Sequence, residues 1–303
     1  SYVSLEYRIK RIDDIVRSWG LNREHNLIAS LSLDNEIFEN FKCKLKIFIS
    51  RALNFSFTDD EDQLIKNIDA NRNNRLNVTP NGAVVPKREF QLEYNLILRE
   101  WCKIIKTMVE KDKKLLSIFR VTPNIRIKFG KELEDNIGRG LNTSYPHSDA
   151  WVEGPWGMNC YVPLFGDTDN NTLVFYEPLE KEFDEKMLSS AESYKDMQWV
   201  MKHYNKINFV PQKGKVYFSD YSMIHNTNRN QNCGSRVSID TTLYVGDHKP
   251  HPDRVSEYRE NIPDFGITEL FDPGQYENEA HAEKKSAFSH YTAKVMKTIK
   301  IDT

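Results

Sequence analysis

The chain has 303 residues, 42 basic and 44 acidic, for a formal charge of -2. Hydrophobic side chains make up 39% and charged ones 28%, the balance of a globular protein with a large core rather than of a disordered chain. Near-neutrality argues against a broadly cationic surface, so no nucleic-acid partner is expected, and no apolar run approaches the roughly 18 residues of a membrane span. At about 150 residues per domain the length allows two domains, or one β-barrel with helical additions.

The N-terminal stretch SYVSLEYRIKRIDD lacks the apolar centre of a secretory signal. Cys43, Cys102, Cys160 and Cys233 are far apart and form no C-x-x-C pair. They read as reduced thiols of a cytoplasmic protein, not as a zinc ribbon or a redox dithiol.

The N-terminal third reads as mostly helical. Over 32–53, Ile37, Phe38, Phe41, Leu45, Phe48 and Ile49 recur at spacings of three and four, which makes one apolar stripe with Ser32 or Asp34 as N-cap. Over 90–110 the same pattern runs through Leu92, Tyr94, Leu96, Leu98, Trp101, Ile104, Ile105 and Met108. The Asn-, Gly- and Pro-rich segment between them predicts a loop with a short hairpin around Pro80-Asn81-Gly82.

The texture changes near Pro123. Short runs follow at 125–129, 146–152, 158–164, 172–178, 206–212, 215–221 and 236–245, separated by turn residues. Such a series predicts a mainly β core, an antiparallel sandwich or jelly roll with helical additions. A helical insertion is expected over 184–204, with Met187, Leu188, Met197, Val200 and Met201 as a partial apolar stripe and a charged outer face. That pattern suits a helix on the barrel rim, placed to gate its mouth. The tail after Asp247 is Pro- and charge-rich, with a helix expected over 278–298.

Two segments carry chemistry. In Tyr145-Pro-His-Ser-Asp149, read as a strand, His147 and Asp149 project on one face. A second imidazole would complete a 2-His-1-carboxylate set, which holds non-haem Fe(II) with positions left open. Gly214 leads into an apolar strand with His225 just past it, and Arg236 and Ser238 follow on one strand face. A guanidinium pointing into a barrel calls for an anion, and a carboxylate is its natural partner.

His147-x-Asp149, His225 and Arg236-x-Ser238, in this order, resemble the iron(II)- and 2-oxoglutarate-dependent oxygenases, over roughly residues 123–246. The resemblance implies a double-stranded β-helix, cupin-like in shape. It implies that His147, Asp149 and His225 ligate Fe(II), and that Arg236 and Ser238 hold the distal carboxylate of 2-oxoglutarate. It implies an oxygenase that consumes dioxygen and 2-oxoglutarate, is open to stimulation by ascorbate, and hydroxylates a small-molecule substrate with release of succinate and CO2. The retained Asp149 argues against the halogenase variant. A small polar metabolite is expected: an amino acid, a sugar derivative or a natural-product intermediate. Two rivals are a cupin-like metal enzyme without 2-oxoglutarate and a non-catalytic jelly-roll binding module.

Further residues are candidates. Asn159 and Tyr161 hold 2-oxoglutarate if their face of the strand lines the cavity; the opposite phase is also compatible. Trp151, Trp156 and Arg139, on loops beside the metal segment, are candidate substrate contacts. Asp240 either orients Arg236 or sits in water at the barrel mouth. His248 and His251 read as a surface loop. The expected organisation is a helical region over 1–122 packed on the barrel, a catalytic core over 123–246 and an extension over 247–303. The helical region or the extension would supply substrate walls or a homodimer interface.

Overall fold

The computed structural model describes residues 3–73, 76–120, 122–132, 140–187 and 193–250, and only the backbone of a few short strands beyond 257. Helix α1 (Leu5–Trp19) begins at Ser4, whose hydroxyl accepts the Tyr7 amide, and ends at Gly20, whose φ of 65° is left-handed. A glycine adopts that conformation without a Cβ clash. A hairpin of β1 (Asn22–His25) and β2 (Ile28–Ser32) follows. Helix α2 (Asn35–Ala52) is capped by Asp34, which accepts the amides of Glu36 and Ile37. Helices α3 (Glu61–Ala70) and α4 (Gln91–Val109) complete the region. Next come β3 (Leu116–Arg120), β4 (Asn124–Lys128), the single turn α5 (Ala150–Glu153), β5 (Met158–Gly166), β6 (Asn171–Pro178) and α6 (Lys181–Lys186). The chain continues through β7 (Tyr204–Lys206), β8 (Lys215–Asp220), β9 (Ile224–Arg229), β10 (Arg236–Val245) and β11 (Tyr258–Arg259).

Eight of these strands make one antiparallel sheet in the order β1-β2-β8-β5-β10-β3-β11, with β4 also paired to β10. Strand β10 is long enough to carry β5 along one side and both β4 and β3 along the other. A second sheet runs β7-β6-β9. Alternation divides the large sheet into two faces. Met158, Cys160, Val162, Val216, Phe218, Val237 and Ile239 join the main core with Ile12, Trp19, Phe41, Phe48, Trp101 and Ile105 of the helices. The opposite face carries Tyr161 and Tyr217, which pack with Phe175 of the second sheet. The helices therefore cover the outer face, and the inner faces enclose the site.

One polar element crosses this arrangement. On α1, Arg8 and Arg11 are buried and both pair with Asp220 at the end of β8, at 3.1 and 3.0 Å. Arg8 also pairs with Asp184 of α6, which accepts the Tyr204 hydroxyl at 2.8 Å. Burial disfavours the Arg8 charge, but Asp220 and Asp184 outweigh it and hold its pKa above the usual value.

Several expectations are corrected. The mostly helical N-terminal third also holds a hairpin that was not expected: β1 and β2 extend the large sheet through β8. Leu92 is 62% exposed and falls off the α4 stripe, which runs through Tyr94, Leu98, Trp101 and Ile105. The segment 146–152 is not a strand. His147 makes a single bridge to His225, and the chain then turns into α5, with the Ser148 hydroxyl accepting the Ala150 amide. Ser and Asp favour such helix starts over strand continuation. Of 206–212 only Lys206 is in a strand; Phe209 turns back on the Ile207 carbonyl, and Pro211 has no amide to donate.

No single helix spans 184–204. There is α6, which ends at Lys186, and a 3-10 turn over Gln198–His203. A helix of about twenty residues would hold its ends roughly 30 Å apart, whereas Asp184 and Tyr204 are hydrogen-bonded to each other. Nor is the acidic face simply solvated, since Asp184 and Glu185 are buried. In the tail, strand backbone at 276–278, 291–293 and 297–300 stands where the helix over 278–298 was expected; Tyr-Thr and Lys-Thr-Ile-Lys suit strands better than helices. The remainder of that expectation lies outside the described residues, as does His251.

Candidate active site

His147 and His225 are 78 positions apart, and a main-chain bridge joins them. The His147 amide donates to the His225 carbonyl at 3.0 Å, and the His225 amide to the His147 carbonyl at 2.9 Å. Their rings lie 4.6 Å apart. Each imidazole has its Nδ1 against a carbonyl, of Tyr145 at 2.7 Å and of Met223 at 3.0 Å. A carbonyl only accepts, so Nδ1 carries a proton in each ring, and the neutral tautomer this selects has its lone pair at Nε2. The two Nε2 atoms lie 3.8 and 3.6 Å from the oxygens of Asp149. One ligand atom from each of the three residues falls within 4.8 Å of the others, a donor set of two imidazole nitrogens and one carboxylate oxygen that suits a divalent transition metal.

Asp149 reaches this point by a route other than strand alternation. Its backbone is already helical, with φ -64° and ψ -26°, and the start of α5 swings its carboxylate back beside the imidazoles. Asn159 donates to Asp149 Oδ2 and holds that oxygen. Burial, and then the neighbouring His225, push the His147 pKa down to about 3 despite the opposing Asp149 charge. Its imidazole is therefore neutral at neutral pH.

The three residues stand on the wall of a cavity of about 650 Å³, open mouth included, between the two sheets. Its floor is cationic. Arg236 is 1% exposed, and its guanidinium donates to the Asn171 carbonyl at 3.3 Å. Among the described residues, Arg236 Nε, Ser238 Oγ and Tyr161 Oη are buried without a hydrogen-bond partner. Burial raises the Tyr161 pKa while the Arg236 charge opposes it; Ser238 also favours the phenolate, but no well-formed hydrogen bond joins the two hydroxyls. Lys128, paired with Arg236 in the β4–β10 register, donates to the Thr143 hydroxyl at 2.9 Å. Burial, and then the charges of Arg126, Arg229 and Arg236, push its pKa well below the usual lysine range.

These orphaned groups are all hydrogen-bond donors beside cations. That chemistry fits an acceptor-only carboxylate.

Asn159 and Tyr161 both lie on the cavity face. Asp240 does not orient Arg236 directly: its carboxylate is taken by Arg126 and by Asn124. Burial alone would raise its pKa, but Arg126 holds it below the ordinary value. The candidate substrate contacts fare differently. Trp151 is buried in a cluster with Tyr194, Val200 and Ile224, off the cavity wall. Trp156 stacks on His248 at 4.4 Å, also off that wall. Arg139 lies outside the described residues. Two further residues stand beside the site. Lys128 was legible in the alternation of Ile-Arg-Ile-Lys, which puts Arg126 and Lys128 on one face. Tyr194, stacked on His147 at 4.3 Å, had no sequence signal, because its partner is 47 positions away.

No family model and no curated protein matches the sequence. Among solved structures, the chain is similar to the non-haem alpha-ketoglutarate-dependent carbocyclase SnoK of nogalamycin biosynthesis, at 12% identity over 88% of this chain and 97% of that one, with a TM-score of 0.43. AviO1 from Streptomyces viridochromogenes Tue57 is 14% identical over 83% and 100% of the two chains, with a TM-score of 0.43. An N-substituted L-amino acid dioxygenase from Burkholderia ambifaria AMMD is 11% identical over 73% and 84%, with a TM-score of 0.36. At such identities and scores, the assignment is left to the site's own residues.

Proposed function

We propose that this chain is an Fe(II)- and 2-oxoglutarate-dependent oxygenase built on a double-stranded β-helix, and that it hydroxylates a small polar metabolite. The observation that carries the reading is the pairing of two features in one cavity. A two-histidine, one-carboxylate donor set stands on the wall, and a buried Arg236–Ser238 pair, whose Nε and Oγ find no partner among the described residues, lies on the floor.

His147, Asp149 and His225 would hold the metal; Arg236 and Ser238, with Tyr161 beside them, would hold the distal carboxylate of 2-oxoglutarate. Together with dioxygen these groups, when bound, supply the oxidant for hydroxylation and leave succinate and CO2. The protein's own part is preorganisation. The Tyr145 and Met223 carbonyls fix the imidazole tautomers, Asn159 fixes one carboxylate oxygen of Asp149, and Arg236 is held in place for an incoming anion by the Asn171 carbonyl. A cupin-like enzyme without 2-oxoglutarate would have no use for a buried, unpaired guanidinium.

Calorimetric titration of 2-oxoglutarate into the Mn(II)-loaded protein tests the reading. Binding in the parent, its loss in His225→Ala, and succinate formation from an amino-acid, sugar or natural-product panel are the expected results. Binding that survives equally in Arg236→Ala would transfer the assignment to a metal enzyme that does not use 2-oxoglutarate.

A further inference from the structure

We propose, resting on the metal-centre reading above, that Tyr194 is a positioning residue: its ring fixes the plane of the His147 imidazole and keeps water from that ligand. The two rings lie 4.3 Å apart at 16°, close to parallel. His225 touches the same imidazole at 4.6 Å but is tilted by 55°, so Tyr194 is the ring that lies flat on it. The hydrogen bond from Nδ1 to the Tyr145 carbonyl fixes one direction of the imidazole but leaves it free to rock about that bond. A flat partner at stacking distance removes that freedom.

Tyr194 is itself anchored. Its amide donates to the Gly140 carbonyl at 2.7 Å. Its carbonyl accepts from Gln198 Nε2 at 2.7 Å, and the same amide group donates to the Pro146 carbonyl at 2.8 Å, one residue before the ligand. Gln198 thus ties the backbone of the inserted segment to the backbone that carries His147. Tyr194 is only 5% exposed and packs in the cluster of Trp151, Val200 and Ile224. The inserted segment therefore contributes a part of the metal centre and is more than a cover over it.

The test is the affinity and visible spectrum of Co(II) in the full chain, with apo thermal unfolding measured for every variant. Tyr194→Phe keeps the ring and should match the parent. Tyr194→Ala should weaken Co(II) by about tenfold, the lower end of what outer-sphere partners contribute, and should alter the ligand-field bands. Tyr194→Leu fills the space without stacking and should also change the bands; it provides the reading if the Ala variant does not fold. Parent-like affinity and spectrum in both Ala and Leu variants would overturn the proposal, as would a Phe variant that loses as much as Ala. If the parent does not bind Co(II), or His147→Ala binds it equally well, the metal-centre reading falls and takes this proposal with it.

Discussion

Arg236 and Ser238 sit on adjacent inward positions of β10, and their orphaned atoms define what the cavity floor accepts. Arg236→Lys should weaken 2-oxoglutarate more than Ser238→Ala, because a point charge cannot reproduce the planar fork of a guanidinium. A lost charge-assisted hydrogen bond costs about 1.5–3 kcal/mol, roughly tenfold to a hundredfold in affinity; equal effects in the two variants would count against a forked contact. Lys128 raises the opposite issue, a buried lysine that donates to a hydroxyl and forms no ion pair among the described residues. Lys128→Met should raise the melting temperature of the ligand-free chain, by about 2–4 °C for each kcal/mol recovered in a domain of this order of size. The pH dependence follows from the depressed pKa. Between the folded pKa and the ordinary value near 10.4, the unfolded chain holds the proton that the folded chain has lost. Parent stability therefore rises with pH in that window, and its gap to Lys128→Met should close as the pH is raised. A gap independent of pH would mean that Lys128 is not strained by its charge.

At the scale of elements, the ion network decides how the chain's parts are joined. Asp220 serves two buried guanidiniums and the Ser222 amide. Its removal leaves Arg11 without a carboxylate partner among the described residues and Arg8 with Asp184 alone. Asp220→Ala should cost about 3–5 kcal/mol in urea unfolding, whereas Asp14→Ala, which breaks exposed pairs with Lys10 and Arg17 on the same helix, should cost about 1 kcal/mol or less. Similar losses in the two would mean that the network is not buried in solution. The elements differ in how far the sequence announces them. Strands β4, β5, β6, β8 and β10 bury one apolar face against neighbours, so period-2 alternation reveals them. Strand β9, Ile-His-Asn-Thr-Asn-Arg, lines a polar cavity and has no such face to show. Segment 146–152 looks like a strand until the hydrogen bonds of Ser148 and Asp149 are known. The motif residues were legible because their chemistry is unusual in a β core; the walls around them were not, because Trp151 and Tyr194 take their places from contacts between distant segments.

Over the whole molecule, α1, α6 and the β8–β9 turn are fastened by one set of buried charges, and the second half of the inserted segment is buried against His147 and the backbone before it. Residues 194–204 should thus exchange slowly before any substrate is added, since Val200 is fully buried and Tyr204 is tied to Asp184. Exchange as fast as an exposed loop, slowed only by substrate, would make the segment the gate that its amphipathic pattern first implied. The two-way backbone bridge between His147 and His225 has a different consequence. The two histidines are brought together by the chain's own amide hydrogen bonds, so folding should not wait for an ion, in contrast to small metallo-domains that are unfolded without one. A chelator should silence such a protein and leave its shape intact. Affinity across first-row divalent ions follows their intrinsic order rather than the needs of one enzyme. The same finished socket would therefore take copper, nickel or zinc when offered them, and which ion fills it is settled by the supply that the folded chain meets.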